Sequence, residues 1–230
     1  MKNELTKTKF KSVLGTARHS FGRVVCLGAV VLVCSSASAQ NLFVSVSGQA
    51  WGNRGRGSIY KFTPNGARTT FAVGLNYPQG LAFNGVGSLF VPDGNAIYKF
   101  SLGDGVRTTF ASGLSSPVGL AFDSAGRLFV ADSGSGSILK FTPAAVRTTF
   151  ASGLNRPVGL AFDRAGNLFV TDGGDVVGPG HGHVYKFTPN GARSTLASGF
   201  ITPNGLAVDS AGSLFLADGG GHRRSRRCNL

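Results

Sequence analysis

PVGLAFDSAGRLFVADSGSGSILKF, residues 117–141, decides the fold of this chain because the chain repeats it. The same text begins at Pro78 as PQGLAFNGVGSLFVPDGNAIYKF, at Pro157 as PVGLAFDRAGNLFVTDGG and at Pro203 as PNGLAVDSAGSLFLADGG. The proline-to-proline spacings are 39, 40 and 46 residues. A second shared phrase lies between the copies, as ARTTFAVGL, VRTTFASGL (twice) and ARSTLASGF. Each repeat therefore holds four short apolar runs. In the copy that begins at Pro157 they are 159–162, 168–171, 183–188 and 193–198. Runs of this length, rich in Phe, Val, Thr and Leu and bounded by Gly, Pro, Asn and Asp, read as strands. Asp123-Ser124-Ala125-Gly126 has Asp first and Gly fourth, the preference of a type I turn, and so joins the first two runs as a hairpin. Leu120, Ala121 and Phe122 are consecutive, as are Leu128, Phe129 and Val130, which is the pattern of strands covered on both faces. The third and fourth runs alternate with polar residues, as they would toward a rim. Four strands per repeat of roughly 40 residues predict an all-β chain, a β-propeller whose four-stranded antiparallel blades are each sandwiched between two neighbours.

Composition agrees. Glycine supplies 35 of 230 residues, about twice the usual share, while charged residues are 14% against about a quarter in ordinary domains. Glu4 is the sole glutamate, so the Ala/Glu/Lys/Leu excess of long helices is missing. Residues 1–39 read as a secretion signal: Lys2, Lys7, Lys9, Lys11, Arg18 and Arg23, an apolar run from Val24 to Val33, and the small-residue site Ala37-Ser38-Ala39. The run is shorter than the ~20 apolar residues of a membrane span. A secreted or periplasmic chain cut after Ala39 and starting at Gln40 is expected. Cutting there lowers the basic and acidic counts from 23 and 10 to 17 and 9, and the net charge from +13 to +8. It also removes Cys26 and Cys34, leaving Cys228 without a partner for an internal disulfide.

The text Pro-x-Gly-Leu-Ala-Phe-Asp-x-x-Gly-x-Leu-Phe-Val-x-Asp, followed by Ile/Val-x-Lys-Phe, closely resembles the NHL repeat, on Pro117, Gly119, Asp123, Gly126 and Asp132 and their counterparts in the other copies. That resemblance covers nearly all of 41–220. It implies a propeller of six blades in a family of binding modules, receptor ectodomains and some enzymes. The blades read as 41–77, 78–116, 117–156, 157–202 and 203–221, followed by a basic non-repeat tail at 222–230. Asn41–Ser47, Ser58–Thr63 and Arg68–Val73 supply strands two to four of the opening blade, and 17 strands in all make a little over four blades. Six blades at this period need about 240 residues. A truncated six-bladed propeller is therefore expected, with self-association through open blade edges. The alternative is a small ring in which 206–209 completes the opening blade.

In an antiparallel blade the hairpin between strands two and three and the link to the next blade emerge on one face. That face is expected to hold the ligand-binding residues: Asp93, Asp132, Asp172 and Asp218 at the ends of second strands, Asn204 beside Pro203, Trp51 and Asn53 with Arg54 and Arg56 in one enlarged loop, and Asp175, His181 and His183 in another. Because the four aspartates recur in phase, turn capping is the competing role for them. His181 and His183 with Asp172 and Asp175 are suitable metal donors in kind, but glycine-flanked. Lys61/Arg68, Lys99/Arg107, Lys140/Arg147 and Lys186/Arg193 also recur in phase and mark a basic rim. No aromatic residues interleave with them as a base-stacking platform requires, so nucleic acid is not the expected partner. No G-x-S-x-G or H-E-x-x-H motif occurs. More distantly, Pro203-Asn204-Gly205-Leu206-Ala207 resembles the asparagine-bearing strand of the gluconolactonase/senescence-marker propellers, which implies lactone hydrolysis by a metal such as calcium held by a glutamate, asparagines and an aspartate. From Gln40 onward this chain has no glutamate to match. Streptogramin lyases are a weaker likeness. The expected role is a non-enzymatic binding scaffold without a cofactor, for a protein, glycan or small-molecule ligand, with metal-dependent lactone hydrolysis second.

Overall fold

The computed structural model describes residues 30–33, 41–47, 57–174 and 181–219. Within them the secondary structure is strand and turn. The opening sheet has the order β1 (Val30–Val33), β2 (Leu42–Val46), β3 (Gly57–Phe62), β4 (Arg68–Leu75). The second sheet is β5 (Ala82–Phe83), β6 (Ser88–Asp93), β7 (Ala96–Ser101), β8 (Arg107–Ala111). The third is β9 (Pro117–Phe122), β10 (Leu128–Asp132), β11 (Ser137–Phe141), β12 (Arg147–Ala151), and the fourth β13 (Pro157–Phe162), β14 (Leu168–Asp172), β15 (Gly182–Phe187), β16 (Arg193–Phe200). A two-stranded half-blade, β17 (Pro203–Val208) and β18 (Leu214–Asp218), follows. All pairings are antiparallel between consecutive strands, as the hairpin text of the repeats dictates.

The first hairpin of each blade is set locally. Asp123 Oδ1 accepts the N–H groups of Ala125 (3.0 Å) and Arg127 (2.8 Å), and Gly126 takes φ +73°, which a side chain would resist. Asp209 repeats the device with Ala211 and Ser213. The Ser213 N–H holds the Asp209 carboxyl below its ordinary pKa, outweighing slight desolvation, with the Ala211 N–H adding to it.

Two faces of each blade are apolar, and the register says which residue meets which neighbour. Phe129 lies opposite Ala121 and Lys140, whereas Leu128 and Val130 lie opposite Phe122, Phe141, Leu120 and Leu139. Period-two alternation therefore turns Phe129 toward the following blade and the others toward the preceding one. The rings show it. Phe129 meets Phe150 of its own blade at 5.1 Å and Phe162 of the next at 4.9 Å, and Phe150 reaches Phe187 at 5.8 Å. The same four-ring chain is built by Phe90, Phe110, Phe122 and Phe141, and by Phe43, Phe71, Phe83 and Phe100. These edge-to-face rings anchor three buried clusters, one per blade junction. The high phenylalanine count thus has a cause: each complete junction takes four.

Near the axis the inner strands run backbone against backbone. Gly80 N donates to Val118 O at 3.0 Å. A Cβ on Gly119 would stand 1.9 Å from Val158 O, and one on Gly159 2.4 Å from Asn204 O. The Pro-x-Gly of the repeat is therefore a steric requirement of the next blade.

Two expectations change. The inner position of the opening sheet is held by β1, whose Val30–Val33 pairs with residues 42–45. These residues belong to the segment read as a secretion signal, so a chain cut after Ala39 lacks this strand. The small-ring alternative is not what forms: Leu206 pairs with Leu216 of β18, and no described strand joins the half-blade to the opening sheet.

Candidate functional site

The aspartates that close the second strands occupy one end of the blades. Asp132, 3% exposed, accepts the N–H groups of Ser115 (3.0 Å) and Ser116 (2.7 Å), and the Ser135 hydroxyl at 2.9 Å. Asp93 accepts from Asn76 (2.8 Å) and Tyr77 (2.5 Å), Asp172 from Asn155 (3.0 Å) and Arg156 (2.6 Å), and Asp218 from Ile201 (3.2 Å) and Thr202 (2.7 Å). The acceptor is always 16 or 17 residues downstream of its donors. Each carboxylate thus clamps the link that enters its own blade from the preceding one, through charge-assisted bonds of the stronger kind. The opening blade, with Val46 at this position, has no such clamp.

The clamp holds the backbone of two residues before each proline while leaving their identities free. They are Asn76-Tyr77, Ser115-Ser116, Asn155-Arg156 and Ile201-Thr202, and the first two pairs are exposed. Residue identity changes at every blade while the geometry does not. These link residues were missed by the sequence reading, although the varying dipeptide ahead of each invariant Pro was a visible signal.

The other expected residues fall as follows. Trp51, Asn53, Arg54, Arg56 and Asp175 lie outside the described residues. His183 sits directly across from Asp172 in the ladder and stacks on Tyr185 at 5.5 Å, and its buried Nδ1 has no hydrogen-bond partner. Asn204 is exposed, and its carbonyl accepts the Thr171 hydroxyl at 2.7 Å, tying β17 to the fourth blade. Asp218 and Asn204 share the β17–β18 ladder, but the four aspartates are distributed one per blade. Among the described residues no three His, Cys, Asp or Glu side chains converge as a metal cluster. Carboxylates already satisfied by backbone N–H groups, in a chain without glutamate after Glu4, do not fit the metal set that the lactonase likeness implies.

The basic rim is largely used within the fold. Against the expectation that no aromatic residues interleave with it, Arg68, Arg107 and Arg193 lie over the rings of Tyr60, Tyr98 and Tyr185 at 4.9–5.1 Å, which occupies those ring faces. On the opposite end of the blades a cleft of about 220 Å³ opens between the third and fourth sheets, floored by Phe129, Phe150 and Phe162. Of the arginines at its mouth, Arg127 is bonded to Asp123 at 2.6 Å, while Arg164 belongs to the neighbouring hairpin.

The NHL repeat model matches residues 114–141, the link, first hairpin and third strand of the third blade. No curated protein matches the sequence. Among solved structures, a chain of the nidogen/laminin complex is 27% identical, with 71% of this chain and 68% of that one covered at a TM-score of 0.63. A candidate gluconolactonase is 18% identical over 85% of this chain and 77% of its own, at 0.60. Virginiamycin B lyase of Staphylococcus aureus is 19% identical over 77% of this chain and 59% of its own, at 0.59. The latter two, below a quarter identical, speak for the fold alone. The chain is a β-propeller that carries an NHL repeat at residues 114–141.

Proposed function

We propose that this chain is an exported binding scaffold whose recognition surface is the end of the blades where the clamped links emerge. The observation that carries this reading is the aspartate clamp. Asp93, Asp132, Asp172 and Asp218 hold four link backbones rigidly, and each link displays a different residue pair. Rigid backbones with varied side chains suit recognition, because little order is lost on binding. The same clamp takes up the carboxylates that hydrolysis would call on. The nidogen/laminin structure supports the reading as a propeller of this fold found in a protein complex.

Three measurements test it. Labelled chain probed on glycan and peptide arrays should give binders whose affinity falls when Tyr77 and Arg156 are both changed to serine, with the melting temperature unchanged. Hydrolysis of a lactone by the purified chain, abolished by a chelator and by Asn204→Ala, would replace the scaffold with the lactonase reading. Expression in a secreting host should release a chain whose mass begins at Gln40, and a full-length chain kept inside the cell would remove the exported part of the proposal.

A further inference from the structure

At the end of the blades away from the clamped links, the hairpins between first and second strands depart from the repeat at one junction. Two of their positions line the cleft between the third and fourth sheets. Arg127 precedes Leu128-Phe129 on the third blade, and Arg164 follows the turn residue Asp163 on the fourth. In phase with this pair stand Asn41 and Gly85, Ser88 and Ser124, and Asn167 and Ser210. One junction therefore carries two cations where the repeat elsewhere places short neutral residues. The fold makes use of only part of them. Arg127 donates its Nε–H to Asp123 Oδ2 at 2.6 Å, which fixes the guanidinium at the mouth and leaves its terminal nitrogens without a partner among the described residues. Arg164 is exposed and has no hydrogen-bond or ion-pair partner among the described residues. The Asp123 carboxylate is taken up by that Nε–H and by the N–H groups of Ala125 and Arg127, so one satisfied anion faces two guanidinium groups. The mouth carries a net positive charge.

Beneath the arginines the cleft is apolar. Phe129, 3% exposed, lies at its floor, and the half-buried Phe150 and Phe162 stand at 81° and 75° to its ring. A Cβ on Gly166 would meet Pro189 Cγ at 3.5 Å, so the inner hairpin and outer turn of the fourth blade abut and form one wall. The volume of about 220 Å³ suits a molecule of one or two rings, since sites for larger ligands run to roughly 300–1,000 Å³. We propose that this cleft binds a small aromatic carboxylate. Its ring lies among the three phenylalanines, where edge-to-face contacts are available. Its carboxylate is held by the guanidinium fork of Arg164, whose planar donors match a carboxylate in pairs, with Arg127 as the second cation. The site stands at the other end of the blades from the clamped links, so it does not depend on the recognition surface proposed above.

The probe is 2-naphthoate, titrated into the full 230-residue chain by calorimetry. Saturable binding of one molecule per chain is expected, with a Kd of about 1 mM or below. Arg164→Gln should weaken it at least about tenfold. Arg164→Lys, which keeps the charge and loses the fork, should fall between the two. Phe150→Leu should weaken binding as well, by removing one ring from the site. Lys61→Gln, which takes a charge from the rim of the opening blade, should leave the affinity unchanged. The neutral analogue 2-naphthalenemethanol should bind at least about tenfold more weakly than the acid, and acetate, which has the charge without the ring, should give no saturation in the same range. Arg164 is exposed and unpartnered, so Arg164→Gln must melt as the parent chain does, which separates loss of the site from loss of the fold. Absence of saturable binding overturns the proposal. So does equal affinity for the alcohol, or binding that is indifferent to Arg164→Gln or as sensitive to Lys61→Gln.

Discussion

Replacing Gly119 by alanine adds one methyl group at the tightest place in the fold. Its Cβ would stand 1.9 Å from the carbonyl oxygen of Val158 on the inner strand of the next blade. Ordinary Cβ contacts begin beyond 3.0 Å, so the two backbones must part by more than an ångström. Neither partner is a flexible side chain. The displaced strands carry the ladder from Leu120 to Val130 and its counterpart from Leu160 to Val170, both part of buried clusters. Overpacking of this kind costs about 3 kcal/mol, which in a domain of this size lowers the melting temperature by roughly 6–12 °C. Gly205 is the internal control. It holds the same place in the repeat, but nothing lies within 4 Å of its Cβ position, and among the described residues no blade stands beside it. Neither glycine has a left-handed φ, so backbone strain does not separate them. Gly205→Ala should be neutral or stabilise by about 0.4–1 kcal/mol through the unfolded chain. Thermal and urea melts of the two variants beside the parent make the measurement. Equal stability of Gly119→Ala and Gly205→Ala, within about 0.5 kcal/mol, would refute the reasoning that the next blade imposes the glycine.

Four further outcomes are expected. Asp132→Ala should destabilise by about 2 kcal/mol in urea titrations and release the 115–116 link to faster hydrogen exchange, whereas the exposed Asp218 should matter less. Phe129→Ala, which empties the middle of a four-ring junction, should cost about 3–5 kcal/mol, while Phe215→Ala should stay within about 0.5 kcal/mol of the parent. Acid should unfold the chain partly through its turns. The Ser101 hydroxyl and then the Val106 N–H hold Asp104 below its ordinary pKa. Asp163 is lowered by the Asn167 side chain and N–H against a desolvation that pulls the other way, and Asp209 by the Ser213 N–H. A depressed carboxyl stabilises fully above its unfolded pKa of about 3.9 and loses that contribution as pH falls through the lower folded value. Melts between pH 5 and 2 (roughly the range where such groups titrate) should therefore fall less steeply when the three residues are changed to asparagine. Thr171→Val, which removes the hydroxyl bridging Gly159 N and Asn204 O, should loosen the half-blade from the fourth sheet and raise exchange in 203–208.

Much of this molecule is local and so could be read from the chain. Strand spans follow from the apolar runs, and Asp123 to Gly126 forms its hairpin from bonds within five residues. The in-phase Asp132 was legible as a turn residue, but its true donors, Ser115 and Ser116, lie across a blade boundary that the repeat text does not mark. His183 reads in the sequence as a ligand-binding residue of a glycine-flanked loop. Its partners across the ladder are Asp172 and Ser198, with Tyr185 stacked on its ring.

By itself the sequence determined the repeat, its four-strand content and the direction of every hairpin, because these depend on alternation and turn chemistry over a few residues. Only the tertiary structure decided which contacts bind one copy to the next. Gly119 is required by Val158, Asp132 by the link before it, and Phe129 by Phe162 of the following blade. It also decided that β1 forms one edge of the opening sheet and that Phe215 is exposed where its counterparts are buried. The physical reason is that identical repeats carry identical local preferences. Whether a given phenylalanine is buried or a given glycine is crowded depends on whether another copy stands beside it.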